Sequence, residues 1–75
     1  MPRVPRVGAD RIVRALRKGS FVDYRQKGSH LTLVHTETGR NVTVPMHGGV
    51  LSVGLVHTII KQAGLTVEEF IELLR

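Results

Sequence analysis

The spacing of apolar residues changes twice along this chain, and those two changes dictate its fold class. Ala9, Ile12, Val13 and Leu16 fall at i, i+3, i+4 and i+7, the spacing of one helical face. From Leu31 to Val44 the spacing drops to two. Leu31 and Leu33 share one side of a strand and His30, Thr32 and Val34 the other, while Val42 and Val44 alternate with Asn41 and Thr43. Helical spacing returns at Leu55, Val56, Ile59, Ile60 and Ala63, then at Phe70, Ile71 and Leu74.

Turn and cap residues punctuate these runs. Asp10 suits the positive end of the first helix, Arg17 and Lys18 its negative end, and Gly19 stops it. Phe21 to Gln26 reads as a strand, with Lys27-Gly28 as a tight turn leading to a second strand, Ser29 to His35. After a turn over residues 36–39, Arg40 to Val44 forms a third strand. Pro45 ends it, because proline has no N–H to give to a ladder. A loop through Gly48 and Gly49 leads to a helix beginning at Ser52 or Gly54 and ending at Ala63 before Gly64. Thr66 and Glu69 then form a capping box for a short C-terminal helix.

The predicted order is α-β-β-β-α-α, an α+β fold. Short connections make the strands an antiparallel meander, helices cover one face of it, and the other face stays open. With 75 residues there is room for a single domain, residues 1–75, whose first seven residues read as a flexible basic lead. A chain this short buries only ~60% of its unfolded surface. It has no cysteine, so apolar packing must hold it together, as suits a reducing cytoplasm. Neither a membrane span nor a secretion signal is apparent.

Charge narrows the partners. Eleven Lys and Arg against six Asp and Glu give +5, and eight of the eleven are Arg, which grips phosphate bidentately. Nine of the eleven precede residue 41, whereas Glu68, Glu69 and Glu72 cluster at the other end. Such asymmetry points to one face for a polyanion, most simply a nucleic acid.

Four histidines could carry chemistry. His30 lies on the side of its strand away from Leu31 and Leu33, with Arg25 and Lys27 close by. An imidazole titrates near neutral pH, so there it could take a proton from a ribose 2′-hydroxyl or give one to a leaving oxygen; an ordinary surface histidine is the simpler reading. Ser29 neighbours His30, but adjacent strand residues point to opposite faces, so Ser29 would set the turn or contact phosphate. His47, beside Gly48 and Gly49, could approach a phosphate from a flexible loop. His35 belongs to the core side near a strand end, and His57 to the edge of the core. No closely grouped His, Cys or carboxylate set exists in the sequence, so neither a metal nor a small-molecule cofactor is expected. Phe21, Tyr24 and Phe70 are too few for a base-stacking platform.

Three segments together carry a resemblance. Arg25-Gln26-Lys27-Gly28-Ser29-His30, then Val42-Thr43-Val44-Pro45-Met46-His47, then Ile60-Lys61-Gln62-Ala63-Gly64-Leu65 with Glu68-Glu69-Phe70 resemble the HicA family of toxin ribonucleases, over residues 9–75. The resemblance implies an α-β-β-β-α core like the double-stranded-RNA-binding domain, metal-independent cleavage of messenger RNA, and neutralisation by a HicB-like antitoxin covering the basic face. It also implies that His30 is the catalytic histidine. The RNA-binding residues expected around it are Arg25, Lys27, Gly28, Ser29, Arg14, Lys18 and His47. A non-catalytic RNA-binding domain of the same fold is the alternative. Family members often carry Gly-Thr-Leu at the entry to the second helix; here the segment is Gly54-Leu55-Val56, without the threonine that would cap it.

Overall fold

A computed structural model describes residues 3–75; Met1 and Pro2 lie outside the described residues. The chain runs α1 (Ala9–Lys18), β1 (Phe21–Lys27), β2 (His30–His35), β3 (Asn41–Pro45), α2 (Val53–Ala63) and α3 (Val67–Leu74). The strands form one antiparallel sheet in the order β1-β2-β3. This is the α+β arrangement the periodicities predict.

The helices and the inner face of the sheet share one core. Leu31, Leu33, Val42 and Val44 point from the sheet onto Ile12, Val13 and Leu16 of α1 and Val56, Ile59 and Ile60 of α2. Phe21 and Phe70 are its largest side chains and are fully enclosed. Burying a side chain of this size stabilises by ~1.5–3 kcal/mol.

Local chemistry explains the helix ends. Gly19 closes α1 with its N–H donating to the carbonyls of Ala15 and Leu16, and Gly64 closes α2 in the left-handed conformation at φ 73°. The threonine missing from the entry to α2 is replaced by Ser52, whose Oγ accepts from the Leu55 N–H at 3.2 Å. At α3 the capping box forms in both directions: Thr66 Oγ1 accepts from the Glu69 N–H, and the Thr66 N–H donates to Glu69 Oε1.

Three details differ from the expectation. Val4 and Val7 pack on the core, the Leu51 N–H donates to the Val7 carbonyl at 3.0 Å, and Gly8 bridges to Val50. Residues 4–7 are thus tied down by apolar burial and a backbone bond and do not form a free lead. In α3 the inward residues beside Phe70 are Leu73 and Leu74, with Ile71 outside the core cluster. Finally, His57 is exposed on α2 and does not reach the core edge, because the buried stripe of that helix runs through Val56, Ile59, Ile60 and Ala63. Among the described residues no helix is long and apolar enough to cross a membrane.

Candidate active site

The β1–β2 hairpin positions the candidate residues. Its connection is only two residues long: Lys27 pairs with His30, leaving Gly28 and Ser29 at the tip. Gly28 has φ 59° and Ser29 a negative φ, the sign pattern of a type II′ turn, which needs glycine at its first central position. An alanine Cβ at Gly28 would meet no atom within 4 Å, so the demand for glycine there is conformational and not steric. Residues directly opposite in a ladder share a face with Cβ atoms ~4.5–5.5 Å apart. Lys27 and His30 are therefore neighbours on the open side of the sheet.

Arg25 reaches the same side by an irregularity. Phe21 and Lys27 are six residues apart and would share a face in a regular strand, yet Phe21 is buried and Lys27 exposed. The ladder shifts register between Asp23 and Arg25: Asp23 pairs with Leu33, and Arg25 with Thr32. Tyr24 is the extra residue of this bulge and is 69% exposed. One inserted residue reverses the alternation, so Phe21 enters the core while Arg25 and Lys27 join His30 and Thr32 outside. The sequence carries a signal for it, a buried-type residue and a cation at positions of equal parity, which simple alternation overlooks.

His30 is exposed, and among the described residues neither ring nitrogen has a hydrogen-bond partner. Across β3 its partner is Pro45, and beside it Thr32 Oγ1 lies 3.3 Å from Thr43 Oγ1. The outer face thus presents an imidazole, two cations and two hydroxyls. The Gly28 and Ser29 turn forms its rim, with the Ser29 carbonyl accepting from the Met46 N–H.

The remaining expected contacts lie elsewhere. Arg14 and His47 line a separate cavity of about 500 Å³ between the start of α1 and the loop at residues 46–49. Lys18, at the end of α1, donates to the Arg75 backbone oxygen, and Arg11 donates to the Leu74 carbonyl at 3.4 Å. Arg17 forks onto Asp23 at 3.0 and 2.7 Å. These donated hydrogen bonds, helped by the guanidinium charge, hold the Asp23 carboxyl below its ordinary value and Arg17 above its own. The cations of the sheet's open face and those along α1 thus form separate groups, and Arg40 stands apart from both, donating to the Gln62 carbonyl at 3.5 Å; the sequence suggested a single face. Glu68, Glu69 and Glu72 line a groove with Leu65 and Leu73 near Gly19.

His35 has a structural task. Its ring packs edge-on against Phe21 at 5.0 Å, and Nδ1 accepts from the N–H groups of Glu37 and Thr38, both at 3.1 Å, closing the β2–β3 turn. Among the described residues no three His, Asp or Glu side chains gather as a metal-ligand cluster.

An exposed imidazole beside two cations on the uncovered face of a small α+β domain defines a class: a compact basic protein with an open, positively charged sheet face. Within that class, the family model for the HicA toxin of bacterial toxin–antitoxin systems matches residues 9–65. The chain belongs to the HicA toxin family. Membership makes it a toxin and implies an antitoxin partner. No curated protein matches the chain.

Proposed function

We propose that this toxin is a metal-independent endoribonuclease that cleaves messenger RNA in the cytoplasm, with His30 as general acid or base, and that a HicB-like antitoxin neutralises it. The observation that carries the reading is the direct pairing of exposed His30 with Lys27, on the face that also presents Arg25. Arg25 and Lys27 bind phosphate, with counterion release supplying much of the affinity. The 2′-hydroxyl of one ribose attacks the adjacent phosphorus: the 2′-O–P bond forms, the P–O5′ bond breaks, and a 2′,3′-cyclic phosphate and a 5′-hydroxyl result. His30 takes the 2′ proton or gives one to the departing 5′ oxygen, and water handles the other. Lys27, Arg25 or the Ser29 N–H stabilises the charge gathering on the phosphoryl oxygens. No atom of this scheme calls for a metal, and the antitoxin would act by covering the same face.

The test compares wild type and His30→Ala on RNA in the presence of EDTA. Wild type should cleave, and the variant should be slower by ~10²–10⁴-fold, the usual worth of one positioned acid–base group. Equal cleavage by the two proteins, or loss of wild-type cleavage in the chelator, would overturn the mechanism. RNA left intact by a wild type that nevertheless retards it on a gel would identify a binding domain that does not cut.

A further inference from the structure

The cavity between α1 and the loop at residues 46–49 lies outside the His30 patch, and the geometry points to its holding a second nucleotide of the same RNA strand, bound through its phosphodiester. This rests on RNA being the substrate and adds a second point at which the strand is gripped.

Two separate elements build the cavity. Arg11 and Arg14 project from α1, His47 and the two glycines come from the loop, and half-buried Met46 supplies an apolar wall. At about 500 Å³ it falls within the ~300–1,000 Å³ of small-ligand sites, so a nucleotide fits where a whole helix of RNA does not. Arg11 is already engaged by Leu74. Arg14 has neither an ion pair nor a hydrogen bond among the described residues, which leaves its five donors for a ligand. Asp10 is the one carboxylate in the lining. It repels a bare phosphate but accepts from a ribose hydroxyl or a base N–H, and so favours a ligand with both acceptors and donors. A nucleotide unit offers the two in separate places, the phosphodiester oxygens toward Arg14 and the ribose or base donors toward Asp10.

The cavity is also tied to the hairpin. The Met46 N–H donates to the Ser29 carbonyl, and Pro45 pairs with His30. The other end of the loop is fixed where Gly8 bridges Val50. Ladder spacing plus two residues of chain keeps the Cα atoms of His30 and His47 within about 12 Å. One strand can reach both places.

The experiment uses the His30→Ala protein, expected to cleave slowly, and a fluorescein-labelled, mixed-sequence single-stranded RNA, with anisotropy followed at several salt concentrations. Adding Arg14→Ala or His47→Ala should each weaken binding about tenfold, the worth of one charge-assisted contact. Arg14→Ala should also reduce the salt slope by about 0.7, and Arg14→Lys, which keeps the charge, should restore it. Lys61→Ala, an equal loss of charge on α2, should leave affinity unchanged. Arg14→Ala and His47→Ala binding as tightly as the His30→Ala parent would overturn the subsite alone, as would an equal loss in Lys61→Ala. A parent that binds no RNA would overturn the RNA reading and the subsite with it.

Discussion

Lys27 and His30 are directly opposed across the end of the β1–β2 ladder, so the backbone fixes the spacing of their Cβ atoms and places both side chains on one face. No side-chain bond is needed to hold them together, and both exposed side chains can meet a phosphate. If the pair acts on one phosphoryl group, Lys27→Ala should slow RNA cleavage by ~10–100-fold, the kinetic equivalent of one lost charge-assisted bond. Its thermal midpoint should stay that of wild type, because an exposed side chain away from any cap or core contributes little to stability. Arg25→Ala should act in the same direction.

Gly28→Ala probes the turn. Its φ of 59° is left-handed, where a Cβ costs ~1–2 kcal/mol. The variant should lose about that much stability in urea unfolding, and cleavage should fall further than stability does, since His30 and Lys27 flank the turn. Unchanged stability would mean that the hairpin tolerates another turn type.

Acidification should weaken the tie between α1 and β1. Arg17 favours the ionised form of Asp23 in the folded protein, so the folded carboxyl titrates below the ordinary 3.8. The sign follows: the stabilisation is whole above the unfolded value and disappears as pH falls through the lower folded value. Wild type should therefore lose stability below about pH 4 more steeply than Asp23→Asn, and the difference should shrink in high salt, because the pair is half exposed. Parallel curves for the two proteins would contradict this.

Ser52→Ala should destabilise by about 1 kcal/mol, the usual worth of an N-cap, lowering the thermal midpoint by ~4–8 °C in a domain of this size. Ser52→Thr should retain most of it. A midpoint unchanged in Ser52→Ala would show that α2 does not depend on this cap.

Much of the fold was legible along the chain because local chemistry and tertiary demand agree. The stripes of α1 and α2, the Thr66–Glu69 capping box and the alternation of β2 and β3 all belong to segments in which one periodicity runs uninterrupted. The failures lie where packing between distant segments decides. Val4 and Val7 look like part of a basic lead, yet a core lacking cover near Leu51 draws them in. Ile71 and His57 sit next to buried positions, but a helix rotates about 100° per residue, so neighbours of a buried stripe need not be buried. For the candidate site, His30, Lys27 and Arg25 could be named from the chain; that they share a surface depends on the bulge, of which the chain shows only the equal parity of Phe21 and Lys27.

The sequence by itself determined the elements, their order, the open face of the sheet and the histidine on it, since periodicity, caps and turn glycines act over a few residues. Tertiary structure alone decided the bulge at Tyr24, which turns Arg25 and Lys27 to the side of His30, and the placing of Arg14 and His47 around a separate cavity. The reason is physical. Register and loop position are fixed by pairing energies and core burial summed over segments far apart in the chain, and no local pattern records that sum.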